Sequence, residues 1–308
     1  MDWPRSHSLN KVRHQAVAVA LNIVLLFGWG VPSVAEGMDF QRLLEETSPA
    51  LVTVKFVLQV KFGGAMSEAL GGDQEMDSEV TCVVIDPKGL ILCSNTQFNG
   101  YVELMTRLMP EGFDVSATPK DLKVLVTRPP LSAGSAAEDK PENGSKPQQE
   151  ELAASLIVRD SDRDLVWLRI DEPGQRPFSY LDLAQGEEGQ VGQEVVAVYR
   201  LDNYFERTAT LAETRIGGIT ERPRRLYIPS TALSAGLGAP VLDHHGKVVG
   251  LTVFQYPEAG EVEGGDNPLA VMSQNTRMQQ GIQGLILPAA EIRRATAQVL
   301  ALSEQEEE

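Results

Sequence analysis

Cations are scarce in this 308-residue chain: 27 Lys and Arg stand against 43 Asp and Glu, for a net charge of −16 and a pI near 4.7. Recognition of a phosphate backbone relies on clustered cations, so this balance argues against a nucleic-acid binder. Histidine and cysteine are scarcer still, with four and two copies, too few for a Cys-rich zinc module or a disulfide scaffold. Charged residues make up 23% and hydrophobic residues 42%, an ordinary globular composition and too polar for a chain with several membrane spans. The length suffices for one large core or two small ones.

One long apolar run is present, and it lies at the start. Arg5, Lys11 and Arg13 precede the apolar stretch Ala16 to Val31, and Ser33-Val34-Ala35 offers small residues at the −3 and −1 positions of a cleavage site. Residues 1–35 therefore read as a secretory signal cleaved near Ala35. The run is short for a membrane span and carries Asn22, Gly28 and Gly30. The expectation is an exported periplasmic or extracellular protein, more acidic still after cleavage, with no stable membrane span.

The rest changes period as it goes. Phe40, Leu43 and Leu44 give helical spacing and predict a short helix over 38–46, stopped by Ser48-Pro49. Val52, Val54, Phe56, Leu58 and Val60 then alternate with Thr53, Lys55, Val57, Gln59 and Lys61, the pattern of a strand with one apolar face. Further strand-like runs cover 80–85, 90–93, 122–126, 156–158, 165–170, 195–199, 208–219, 226–228, 247–254 and 284–287. Turn chemistry separates most of them, which favours antiparallel barrels or sandwiches over an alternating βα fold. Ala289 to Leu302 reads as a closing helix with Ile292, Ala295 and Val299 on one face. Two stretches, 62–78 and 129–150, read as unstructured surface loops, and 303–308 as an acidic tail. Asn143-Gly144-Ser145 is a formal glycosylation sequon in the second loop.

Four segments occur in a telling order: the hairpin Val83-Val84-Ile85-Asp86-Pro87-Lys88-Gly89-Leu90-Ile91-Leu92, then Asp164-Leu165-Val166-Trp167-Leu168-Arg169-Ile170, then Val191-Gly192-Gln193-Glu194-Val195, then Gly238-Ala239-Pro240-Val241-Leu242-Asp243-His244-His245-Gly246. Together they resemble the protease domain of the trypsin-like HtrA/Deg secreted serine proteases, from about Phe40 to about Leu300. The resemblance implies an all-β fold of two packed antiparallel β-barrels of the chymotrypsin/trypsin type, with a short N-terminal and a C-terminal helix. One barrel would span 36–180 and the other 181–302. The PDZ modules that often follow in that family are not expected in this chain.

The chemistry departs from the pattern. A serine protease needs a nucleophilic hydroxyl, an imidazole to take its proton and a carboxylate to orient the imidazole. The positions that match this triad hold Thr96, Asp164 and Leu237. Beyond residue 35 the only histidines are His244 and His245, both in a tight turn away from the expected cleft, so moving the register does not rescue the triad. Ser230, Thr231 and Ser234 are nearby hydroxyls without a base. Ala235, Gly236, Leu237 and Gly238 occupy the turn whose N–H groups stabilise an oxyanion in the family. Asp164 is expected to serve as a structural hydrogen-bond acceptor.

No metal or cofactor is expected, since adjacent turn histidines are usually just solvated. Cys82 and Cys93 flank the first hairpin and would be nearly opposite across a two-residue loop. Asp86-Pro87-Lys88-Gly89 instead favours a type I turn with Gly in the left-handed region and a bulge. That shift of register should point the thiols apart, so a disulfide is plausible for an exported protein but not expected. The leading expectation is a non-catalytic trypsin-like domain that binds an unidentified peptide or protein along its inter-barrel groove. Alternatives are an endopeptidase with an unusual nucleophile such as Ser234 or Thr96, and a structural role resting on the acidic surface.

Overall fold

The alternation of the first strand decides which way its side chains point. In β1 (Leu51–Phe62) Val52, Val54, Phe56, Leu58 and Val60 are buried while Lys55, Val57 and Gln59 are less so. Each large apolar side chain withdrawn from water contributes about 1.5–3 kcal/mol. The computed structural model describes residues 39–63, 72–99, 102, 106, 115–127, 149–175, 177–233, 236–255 and 284–306. The expected signal segment, the sequon and most of the second expected loop lie outside these residues.

Two closed antiparallel barrels of six strands each account for the strands described. The first runs β1-β2-β3-β6-β5-β4, with β2 Gln74–Asp86, β3 Leu90–Ser94, β4 Val115–Thr127, β5 Gln149–Asp160 and β6 Leu165–Ile170. The second runs β10-β11-β12-β9-β8-β7, with β7 Glu194–Arg200, β8 Ala209–Thr220, β9 Leu226–Pro229, β10 Pro240–Leu242, β11 Val248–Val253 and β12 Leu285–Pro288. Closure pairs every one of these strands and leaves no open sheet edge among the described residues. A short helix α1 (Phe40–Thr47), capped by Asp39 accepting from the Arg42 N–H at 3.0 Å, precedes β1.

The closing helix α2 (Ala289–Glu306) extends past the expected end at 302, so Glu304 to Glu306 are helical where an acidic tail was expected. It buries Ile292 and Ala295. The Trp167 indole of β6 reaches Thr296 Oγ1 at 3.0 Å, which satisfies its one donor on the fully buried ring.

Strand ends differ from the expectation in three places. β2 begins at Gln74 inside a stretch read as loop, β4 begins at Val115 instead of 122, and β5 begins at Gln149. Gln74 to Asp77 are exposed and have no apolar alternation. They are held by the ladder to β1, where Val60 pairs with Gln74 and Val57 with Asp77, so backbone pairing extends the strand where side-chain patterning gives no signal.

The disulfide expectation is overturned: Cys82 and Cys93 are bonded, with Cα atoms 4.6 Å apart and both residues fully buried. The turn chemistry itself is as expected. Gly89 N–H reaches the Asp86 carbonyl at 3.0 Å, Asp86 Oδ1 accepts from the Lys88 N–H, and Gly89 has φ +90°. A bulge at Ile85 then absorbs the extra turn residue, because Asp86 pairs with Leu90 while Val84 pairs with Ile91 and Val83 with Leu92. The register on the far side of the bulge is that of a two-residue loop, and it sets Cys82 opposite Cys93. Gly89 is also fixed by space, since a Cβ there would lie 3.1 Å from Ile170 Cβ and 3.2 Å from the Phe178 ring.

Candidate functional site

Ser94 ends β3 and caps a single helical turn (Asn95–Phe98), accepting from the Gln97 N–H at 3.3 Å. The spacing Ser94-x-x-Gln97 is a helix-start signal legible in the sequence. The turn places Thr96 against Asp164, which opens β6 from a left-handed backbone at φ +58°. Aspartate tolerates that region better than most residues because its short side chain bonds locally.

The Asp164 carboxylate is 1% exposed and fully engaged by the chain. Oδ1 accepts from the Thr96 N–H at 2.6 Å, and Oδ2 accepts from Ser94 Oγ at 2.9 Å and from the Phe254 N–H at 2.8 Å. Its backbone carbonyl takes the Asn95 N–H at 3.1 Å. Phe254 follows β11, so one carboxylate ties the two barrels together. Burial raises its pKa from the ordinary carboxylate range to about 6, and the hydrogen bonds from Phe254, Thr96 and Ser94 pull the other way without cancelling that. Thr96 is itself 1% exposed.

Leu237 is met from the same helical turn. The Gln97 amide lies along the Leu237 peptide, with Nε2 donating to the Leu237 carbonyl at 3.0 Å and Oε1 accepting from its N–H at 3.2 Å. The amide oxygen and nitrogen are assigned here by the partners each one faces. Behind it, Thr252 holds the turn: its hydroxyl accepts from the Ala239 N–H at 2.9 Å and donates to the Gly236 carbonyl at 2.8 Å, and its carbonyl takes the Gly238 N–H at 2.7 Å. Gly238 has φ +78°, and a Cβ there would come within 3.0 Å of the Ser94 nitrogen. The two barrels thus touch where Ser94 meets Gly238. Ala235 and Ser234 lie outside the described residues.

Beside this contact is a cavity of about 270 Å³ bounded by Thr81, Gln97, Arg200, Leu237 and Ala239. The Arg200 guanidinium is largely buried, which lowers its pKa. It donates to three backbone carbonyls, those of Leu51 at 3.0 Å, Ser48 at 2.7 Å and Arg207 at 3.1 Å.

His244 and His245 stack with ring centroids 3.7 Å apart in the turn between β10 and β11. Asp243 shapes that turn, its Oδ1 accepting from the His245 and Lys247 N–H groups. Gly246 faces Leu43 of α1. Among the described residues no three His, Cys, Asp or Glu gather as a metal site.

Residues 80–251 match the model of the trypsin-like peptidase domain. The chain belongs to the trypsin-like peptidase family. A curated relative, the "Probable periplasmic serine endoprotease DegP-like" of Hahella chejuensis, is 25% identical over 248 residues, covering 72% of this chain. This trypsin-like chain spans 44% of that relative's length. Solved structures similar to it include Deg5, 18% identical with a TM-score of 0.43 over 69% of this chain and 83% of that one. Another is the apo MamO protease domain of Magnetospirillum magneticum, 13% identical with a TM-score of 0.43 over 81% and 97%. Ser94, Gln97, Thr252, Phe254 and Arg200 are the cleft residues that sequence reasoning missed. Only the Ser94-to-Gln97 spacing carried a signal for any of them.

Proposed function

We propose that this trypsin-like domain is non-catalytic, is exported, and serves by binding a peptide or protein. The carrying observation is that the Asp164 carboxylate is consumed by Ser94, Thr96 and Phe254. In a working triad that carboxylate orients an imidazole. Here two backbone N–H groups and a hydroxyl occupy it, and position 237 offers no hydroxyl. The Gln97 amide on the Leu237 N–H supports the same reading, because that N–H belongs to the turn that would stabilise an oxyanion. Loss of nucleophile and base together forfeits roughly a million-fold of turnover in a related protease chemistry. Export is supported by the signal-like start and by a disulfide, a bond that persists in oxidising compartments.

The test is incubation of the purified protein with a denatured proteome and a mass-spectrometric search for new peptide termini, with a Thr96→His plus Leu237→Ser variant alongside. No new termini from the unmodified protein are expected. Specific cleavage that one cleft substitution abolishes would make this an endopeptidase with an unusual nucleophile.

A further inference from the structure

A second open cavity adjoins the cleft cavity at Glu79 and Asp202. It is a groove of about 1030 Å³ between the outer face of the first barrel and the turn joining β7 to β8. Its floor carries Val57 of β1, the nearby Leu122 of β4 packs against the barrel core, and its wall is the turn at Asp202 to Arg207.

That turn is built under strain. Glu206 and Arg207 are adjacent non-glycine residues at φ +56° and +53°, and such backbone persists only where its surroundings over-determine it. The surroundings here are specific. Glu79 of β2 accepts from the Asn203 N–H at 2.9 Å and pairs with Arg207 at 2.5 Å, while Asp202 Oδ1 takes the Tyr204 N–H at 3.0 Å. Arg207 is drawn inward, and the two aromatics beside it are left in water, Tyr204 at 86% exposure and Phe205 at 52%. Their rings stand edge to face with centroids 5.0 Å apart.

Charge tells which occupant fits. The cations of the groove are answered within it, Lys55 and Lys123 by Glu151 at 3.2 and 3.0 Å and Arg207 by Glu79. Asp77 and Asp121 are not: both are exposed and neither pairs with a cation among the described residues. Asp77 sits opposite Val57 in the β1–β2 ladder, and Asp121 is the extra residue of the β4 bulge facing the same stretch of β1. Two unanswered carboxylates therefore flank an apolar strip below an exposed tyrosine.

We infer that this groove binds an extended, basic segment of a partner protein, its Lys or Arg head between Asp77 and Asp121 and against the Tyr204 face, its stem along Val57. Carboxylates steer and select a cationic segment, and an aromatic face adds attraction for the same head group. The inference builds on the binding role proposed above, moves it from the cleft to the outer wall, and holds whether or not the cleft cleaves.

Fluorescence anisotropy of the full chain with a labelled decapeptide of alternating Thr and Arg tests it, against the same peptide with Glu for Arg. The Arg peptide should bind and weaken with salt, and the Glu peptide should not bind. The variants Tyr204→Ala and Asp77→Asn plus Asp121→Asn should each weaken binding roughly tenfold. Asparagine keeps the left-handed backbone at 121 accessible, and unchanged thermal unfolding would show that the fold is intact. Equal weakening by the charge-matched control Glu172→Gln plus Glu213→Gln would reduce the effect to overall charge and overturn the inference. Loss of binding in Gln97→Ala would overturn it too, by placing the peptide in the cleft, and would leave the proposed non-catalytic role standing.

Discussion

The cleft and the outer groove adjoin at Glu79 and Asp202 and spend their polar groups in opposite ways. In the cleft, the carboxylate of Asp164, the amide of Gln97 and the hydroxyl of Thr252 all have partners within the chain. In the groove, Asp77 and Asp121 are exposed and Tyr204 stands in solvent. A buried group with its partners supplied stabilises the fold, because removing one leaves the others desolvated and unmatched. An exposed group without a partner contributes little to folding and is free to meet a ligand. The difference teaches that polar groups around Asp164 are committed to holding the barrels together, while those of the groove remain open to solvent.

The comparison breaks if cleft substitutions spare the fold. Asp164→Ala should have the largest effect, roughly 4 kcal/mol of lost stability in urea unfolding, because the Thr96 and Phe254 N–H groups and the Ser94 hydroxyl lose a shared acceptor. A loss under about 1 kcal/mol would mean that water reaches these donors. Next comes Cys82→Ala plus Cys93→Ala. This should lower stability by roughly 3 kcal/mol for so short a loop, with the variant insensitive to reductant.

The pH dependence sharpens the same point. Asp164 has a folded pKa of about 6, above its value of 3.8 in an unfolded chain. Its contribution to stability is therefore fully present below about pH 4 and is lost as pH rises through 6. Unfolding of the wild-type chain and of Asp164→Asn across pH 4–7.5 should show the wild type losing ground to the variant as pH rises through that window. The reverse trend would mean that the three donors outweigh burial. Gln97→Ala removes one paired amide and should lower stability by about 1 kcal/mol without creating peptidase activity. Smallest of all, Tyr204→Ala should change the unfolding free energy by less than about 0.5 kcal/mol, since its ring is exposed. A larger loss would show that the groove wall is a folding element instead.

Legibility followed burial. Strands with longer apolar runs, such as Val52 to Val60 and Leu165 to Ile170, were readable because their inward side chains enter a core, whereas the three-residue β10 was not among the expected runs. The polar starts of β2, β4 and β5 were not, since a hydrogen-bonded ladder leaves no mark on side-chain composition. The turn at Asp86 to Gly89 was readable and its consequence was not: one bulge at Ile85 reversed the expected fate of the two cysteines.

The sequence by itself determined the two-barrel β architecture, through strand patterning, and the residue types at 96, 164 and 237, through the order of their flanking segments. Tertiary structure alone decided what those residues touch. The Ser94 hydroxyl and the Phe254 N–H reach Asp164 from chain positions 70 and 90 residues away, and Glu79 holds the strained β7–β8 turn from across the barrels. Such contacts arise from closing the barrels and seating them on one another, and no local pattern encodes them because each partner is ordinary in its own segment.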